Sequence, residues 1–369
     1  MSQQVAEEVF RLAASSIEVL PPPYDAVVDT ARQQRGRRRR ITALSVAAVV
    51  AAVGAGTWVS ARPDPPPEPP KAPSTHPVAV HNPIDTWWYA DGRLHLHGVE
   101  LDLPGVTDLA ATGAGVVYLD GKGSVGTVDA AGKVALVGSA EPGSTVLGSS
   151  LKGWAAWVEP GTGRDRIVVW SVGVGEQLGT LPVAAGTRLV AIDQGRVYYV
   201  NDSGAFDWSP VPVGTWPEPL GPPVLADVGT ATRVYQRARR IEMVQPFFSV
   251  SFVRTGQGAS VSPGGNFVLT RRPGPWVPGT PYSPLVYDTR SGQRLRSGIA
   301  PDERVVDAAF GQNQNVAYLV VHVADLAGAN LDGGTSPLLV LRSCHLDTGA
   351  CQDVVPVRNA TGPALFAEW

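Results

Sequence analysis

Residues 116–121 read VVYLDG, a short run of β-branched and aromatic side chains that ends in an Asp-Gly turn. That is the signature of a strand entering a hairpin. Six further runs of the same kind follow or precede it: WWYADG (87–92), WAAWVEPG (154–161), VYYVNDSG (197–204), RVYQ (233–236), FVLTRRPG (267–274) and VAYLVV (316–321). With Tyr89, Tyr118, Trp157, Tyr199, Tyr235, Leu269 and Tyr318 as equivalent positions, the steps are 29, 39, 42, 36, 34 and 49 residues. Between them the chain is cut by Gly, Asp-Gly and Asn-Asp turns and shows no long amphipathic helix. Seven copies over residues 78–369 leave about 42 residues each, the length of four short antiparallel strands. Units of that size repeated in series predict an all-β β-propeller of about seven four-stranded blades, with six or eight left open.

The segment ASVSPGGNFVLTRR (259–272), followed by LVYDTRSGQRL (285–295), resembles the Ser-Pro-Asp-Gly and Asp-x-x-Ser-Gly phrases of bacterial WD-repeat-like and TolB-like propellers. The resemblance implies that Ser262-Pro263-Gly264-Gly265 makes the tight turn into a blade's second strand, although Gly264 replaces the family's Asp. It also implies that Asp288 to Gly292 closes the outer hairpin. IVVWSVGVGEQL (167–178) and VLRSCHLDTGACQDV (340–354) echo the same outer strand, turn and return strand. The whole layout is similar to a group of actinobacterial single-pass membrane proteins with a propeller outside the cell. Propellers host unrelated activities, so the likeness speaks to architecture.

That layout begins with residues 41–61, ITALSVAAVVAAVGAGTWVSA, 21 positions without a charge between Arg40 and Arg62. As a helix they would span about 31 Å, the thickness of a hydrocarbon core. Five arginines in the six positions Arg35 to Arg40 place the N-terminus on the cytoplasmic side by the positive-inside rule. A signal-peptidase site at Val59-Ser60-Ala61 and a twin-arginine reading of Arg39-Arg40 compete, but the apolar run is longer than a signal segment. Residues 1–40 then form a cytoplasmic tail. Ala6, Phe10, Ala13, Ile17 and Leu20 draw one apolar stripe on a short helix that the prolines at 21–23 stop, either a surface for a cytoplasmic partner or the membrane face, or a transient helix in a largely disordered tail. Residues 62–77 form a spacer, with eight prolines in the fifteen residues from Pro63. The expected domains are therefore 1–40, 41–61, 62–77 and an extracytoplasmic propeller at 78–369.

Charge excludes a nucleic-acid role. The 30 basic and 33 acidic residues leave a net charge of -3, and residues 62–369 alone carry 23 basic and 28 acidic groups. The arginine cluster faces lipid and sets topology, and no basic surface large enough for phosphate backbones remains. A chain with 41 Gly and 33 Pro and 17% charged residues also does not suit a helical bundle.

The two cysteines, Cys344 and Cys351, flank an Asp-Thr-Gly turn. A four-residue loop at 346–349 would set them opposite each other on paired strands, where a disulfide forms outside the reducing cytoplasm. Free thiols or two ligands of a metal site are the alternatives. Linear motifs for catalysis are missing: the chain has no GxSxG elbow, HExxH helix, P-loop or dinucleotide glycine fingerprint. Ser149 to Lys152 fits SxxK without its companion elements, and His95 and His97 put two imidazoles on one face of a strand, with Glu100 and Asp102 nearby, a geometry that could bind a transition metal although two ligands do not make a site. No catalytic residue, metal or cofactor is expected.

Two loops combine aromatics with backbone-restricting prolines, WSPVPVGTWPEP (208–219) with Trp208 and Trp216, and RRPGPWVPGTPYSP (271–284) with Trp276 and Tyr282. Arg237, Arg239 and Arg240, with Arg233, make a local basic cluster suited to anionic envelope polymers. These features point to a binding, scaffold or sensor module for a protein, peptide or envelope polymer. The competing readings are an extracytoplasmic hydrolase or lyase built in the propeller funnel, which a convergent set of Asp, Glu, His and Arg there would favour, and an anti-sigma-like regulator acting through the tail.

Overall fold

The computed structural model describes residues 78–79, 82, 84–149, 151–212, 215–222, 224–230, 232–245, 250–274, 280–311, 315–326, 338–358 and 364–367. The tail, the apolar segment 41–61, the spacer and Trp276 lie outside them. Among the described residues no helix is long and apolar enough to cross a membrane, and the one helix, Val323–Leu326, has four residues.

The strands run in chain order from β1 (Val78–Ala79) through β2 (Trp88–Ala90), β3 (Arg93–His95) and β4 (Val99–Asp102). Five sheets of consecutive strands follow in the order of the chain. They are β5 (Val106–Thr112), β6 (Gly115–Asp120), β7 (Ser124–Asp129) and β8 (Val134–Ser139); β9 (Leu147–Gly148), β10 (Trp154–Glu159), β11 (Asp165–Ser171) and β12 (Glu176–Val183); β13 (Arg188–Asp193), β14 (Arg196–Asn201), β15 (Gly204–Trp208) and β16 (Glu218–Gly221); β17 (Leu225–Gly229), β18 (Thr232–Arg237), β19 (Arg240–Gln245) and β20 (Val250–Thr255); and β21 (Gln257–Val261), β22 (Phe267–Arg271), β23 (Pro284–Asp288) and β24 (Arg294–Leu295). The last complete sheet is β25 (Glu303–Phe310), β26 (Asn315–His322), β27 (Leu338–His345) and β28 (Cys351–Arg358). The C-terminal β29 (Leu365–Phe366) then returns to β2, giving the order β1-β4-β3-β2-β29. These seven sheets are blades 1 to 7, blade 1 being the one that joins both ends of the domain.

The architecture follows from how each strand is covered. In β6, β14 and β26 the residues are buried almost without interruption, because both faces of a blade pack against neighbouring blades. Such strands read as continuous apolar runs. The outer β20 alternates half-buried and exposed positions instead, the ordinary pattern of a strand with one wet face. All seven equivalent positions named above fall on the second strand of their blades. Their register differs by one pleat: Tyr118, Leu269 and Tyr318 lie opposite Leu109, Ser260 and Ala308, inward of the first-strand bulge, whereas Tyr199 and Tyr235 lie opposite Leu189 and Leu225 before it.

The turns form as their residues require. Gly265 donates to the Ser262 carbonyl at 2.7 Å, and the Ser262 Oγ accepts from the Asn266 and Phe267 amides, both at 3.1 Å. Asp288 Oδ1 accepts from the Arg290 and Ser291 amides at 3.0 and 2.7 Å and so closes the β23–β24 hairpin. Core packing is equally specific. Trp157 is 1% exposed, and a Cβ on Gly138 of the preceding blade would sit 2.5 Å from its ring. The glycine is the space in which the indole lies.

Candidate functional site

In an antiparallel blade the first-to-second and third-to-fourth connections leave at one end, and the second-to-third connection leaves at the other. The propeller therefore has two rims and a central channel lined by the first strands.

The channel holds charge. A cavity of about 290 Å³ is lined by residues of the first strands of all seven blades, among them Asp108, Asp227, Asp307 and Arg188. The three aspartates occupy one structural position. Each follows a register shift in its strand, between Val106 and Asp108, Leu225 and Asp227, and Val305 and Asp307. The bulge turns the carboxylate toward the next blade. Asp108 Oδ2 accepts from the Val146 amide at 2.7 Å, Asp227 Oδ2 from Val261 at 2.6 Å, and Asp307 Oδ2 from Phe366 at 2.8 Å. A second amide, that of the following residue, binds each carboxylate as well; for Asp227 this is Val228 at 2.7 Å. Burial pushes the Asp108 carboxyl up to about 6 and those of Asp227 and Asp307 up to about 7, against the pull of these amides. At the same position blades 4 and 6 carry Ala191 and Ala259.

The convergent acids that would favour a catalytic funnel are thus present, but they are shared out between blade junctions. Among the described residues no group of three or more His, Cys, Asp or Glu is placed to hold a metal ion. Each carboxylate is held by two backbone donors, an arrangement that ties neighbouring blades together, while the three residues stay half-buried at the channel wall.

A second concave region lies between blades 4 and 5, at the rim where β13 turns into β14 and β17 into β18. About 290 Å³ in volume, it is lined by Asp193, Arg196, Tyr198, Asp207, Glu218 and Arg233, with Gln194 and Thr230 at the turns. Arg196 binds Asp207 at 2.8 Å and Glu218 at 3.2 Å.

Other sequence-predicted residues are distributed as follows. Trp208 ends β15 and is 4% exposed, packed with Ile167, Tyr199 and Val169 in the blade 3–4 core, so it is not a loop contact. Its neighbour in that stretch, Trp216, is 86% exposed, with Val211 at 51%; both belong to the β15–β16 connection, whose Pro210 approaches Gly179 of blade 3. Tyr282 sits on the opposite rim, where its amide donates to the Val305 carbonyl at 2.8 Å and its carbonyl accepts from the Val305 amide at 2.9 Å. Arg237, Arg239 and Arg240 are exposed at the β18–β19 turn, also on that opposite rim, and Arg237 pairs with Glu242 at 3.1 Å. Arg233, at the other end of β18, belongs to the cleft. The two aromatic loops therefore do not make one surface.

Cys344 and Cys351 are directly opposite in the β27–β28 hairpin and disulfide-bonded. A Cβ on Gly298 would lie 2.0 Å from Cys351 Sγ, so the chain approaching blade 7 passes directly over the bridge at a glycine with φ of 74°. His95 ends β3 and stacks on Trp88 with ring centres 3.6 Å apart, while His97 lies beyond the strand and is exposed. Ser149 is buried and Lys152 exposed.

No protein-family model and no curated protein matches the sequence. Solved structures do match. Kluyveromyces lactis Hsv2 is similar with a TM-score of 0.42 and 10% identity over 69% of this chain and 99% of its own. The WD40 repeats of RRP9 give 0.45 and 12% over 73% and 86%, and a nidogen/laminin complex chain 0.37 and 14% over 56% and 90%. The chain is a seven-bladed β-propeller with WD40-like structural neighbours. At these identities the likeness concerns the fold alone.

Proposed function

We propose that the chain is a membrane-anchored, extracytoplasmic propeller that serves as a binding module for a protein, peptide or envelope polymer. The observation that carries the binding role is the β15–β16 connection, where Trp216 is 86% and Val211 51% exposed. An exposed indole on a short, proline-bounded loop offers contact area at low entropic cost. The anchor rests on the charge-free segment 41–61 and its arginine flank, and an extracytoplasmic location is supported by the disulfide.

A photo-crosslinking residue placed at Trp216 in intact cells tests the surface. Discrete adducts are expected there and not at Val174 of blade 3, itself 71% exposed; equal labelling at both, or none at Trp216, defeats the reading. Protease added to the same cells, with a tag at each terminus, is expected to remove the C-terminal tag and leave the N-terminal tag in the membrane.

The channel carboxylates favour the second reading, a hydrolase or lyase of the funnel, because carboxyls pushed up to about 6 and 7 suit general acid and base work. It ranks below the first because all three are engaged by two backbone amides each.

A further inference from the structure

The blade 4–5 junction is unlike most others. Among the described residues its buried apolar core has seven members, including Val190, Tyr198, Leu225 and Val228, as many as at the junction of blades 5 and 6 and against twelve at the junction of blades 1 and 2. Toward the rim the apolar contact gives way to ionisable side chains facing one another across the cleft. Strand register places Asp193 opposite Arg196, Tyr198 opposite Asp207 and Asp207 opposite Glu218, all on the face of blade 4 that meets blade 5. From blade 5 comes Arg233, opposite Val228 of the same interface.

Their pairing is incomplete. Arg196 serves both Asp207 and Glu218, yet its Nε is a buried nitrogen with no acceptor. Asp193 is 8% exposed and accepts one bond, from the Gln194 amide, where a buried carboxylate ordinarily accepts two or more. Arg233 makes no hydrogen bond or ion pair among the described residues, although both it and Asp193 act on the charge state of Tyr198 between them. A buried acid and a guanidinium of opposite sign therefore line one cavity without meeting. Leaving such groups unpaired is costly, and a ligand that carries the complementary charges at its two ends removes the cost.

We infer that this cleft binds a small zwitterion with a primary ammonium and a carboxylate, the chemistry of a free amino acid or of the ends of a short peptide. The carboxylate would accept from Arg233, and the ammonium would donate to Asp193. This narrows the binding function proposed above to a ligand class, at a site a few residues from Trp216.

Calorimetric titration of the detergent-solubilised full chain with L-alanyl-L-alanine, and separately with L-alanine, tests it. Saturable one-to-one binding of either is expected, and which of the two binds identifies a peptide or a free amino acid as the source. N-acetylated dipeptide, and dipeptide amide, should each bind at least about tenfold more weakly, since each lacks one charge. Asp193→Asn and Arg233→Gln should each weaken the parent ligand by a similar factor in protein whose near-ultraviolet circular dichroism is unchanged. Absence of saturation by both ligands at roughly 10 mM, a concentration that reveals even millimolar affinity, or equal binding of the blocked peptides, overturns the inference. Because the blocked ligands need no variant, a misfolded mutant cannot obscure the result. Trp216→Ala should leave dipeptide affinity unchanged, so failure of the surface reading and failure of the cleft are separately visible.

Discussion

Asp227 shows how one side chain can join two blades and make the joint sensitive to pH. Its carboxylate accepts from its own neighbour Val228 and from Val261 across the junction, at 2.7 and 2.6 Å. Burial raises its pKa to about 7 from an ordinary 3.8, and the charge of Asp193 adds to the rise. The folded chain thus binds more protons than the unfolded chain between those two values, so stability falls as pH rises through that window. Asp108 and Asp307 add slopes of the same sign. Thermal unfolding followed by circular dichroism is expected to show a lower midpoint at pH 8 than at pH 5, with a shallower dependence in Asp227→Asn. Asp227→Ala strands two amides and should cost about 1–3 kcal/mol. A wild-type midpoint that rises from pH 5 to pH 8 would contradict this reading of the channel. These aspartates escaped sequence reading because 119 and 80 residues separate them. A trace was there, a lone acid inside an apolar strand in VTDLAA, LADVG and VVDAAF. Its meaning needs the bulge, and bulges depend on partner strands that composition does not announce.

At the scale of elements the second strands were legible, because burial on both faces writes itself as unbroken apolar runs such as VVYL and VYYV. The outer hairpin of blade 7 was legible for a different reason: an Asp-Thr-Gly turn of fixed length sets Cys344 against Cys351. The aromatic loops were not. WSPVPVGTWPEP contains one indole that ends a strand in the core and one that stands in water, and Trp208 and Trp216 look alike until the register of β15 is known. The disulfide carries a prediction of its own. Its closed loop is short, and on the chain-entropy model the bridge contributes about 2.5 kcal/mol. Cys344→Ser with Cys351→Ser, or treatment with a reductant, should lower stability by about that amount in denaturant unfolding. The loss should be confined to blade 7, with hydrogen exchange rising in β27 and β28 and staying level in β10. Uniform exchange across all blades would show that the hairpin is coupled to the whole ring.

Over the whole molecule, seven units were countable from the recurring run, but the way the ring closes was not. The closing strand is only Leu365 and Phe366, within a GPALFAEW stretch that carries no copy of the recurring run. It nevertheless gathers several interactions in one place. Phe366 pairs with Trp88 and Leu365 with Tyr89, joining the last residues of the domain to its first inner strand. The Phe366 amide caps Asp307 of blade 7 at 2.8 Å, and the Ala367 amide reaches the Trp87 carbonyl at 2.9 Å. Ala364, Phe366 and Ala367 are 6%, 2% and 0% exposed. Loss of a buried phenylalanine side chain alone costs about 3–5 kcal/mol, a large part of the roughly 5–15 kcal/mol that holds a domain folded. Deletion of residues 364–369 should therefore abolish the cooperative thermal transition and expose blades 1 and 7 to limited proteolysis. The other end of the same sheet provides the contrast. Strand β1 adds two exposed residues to the outer edge, Val78 being 59% exposed, so Val78→Ser should leave the transition in place. A truncated chain that still melts like the full one would mean that contacts between neighbouring blades, rather than the shared first blade, hold the ring closed.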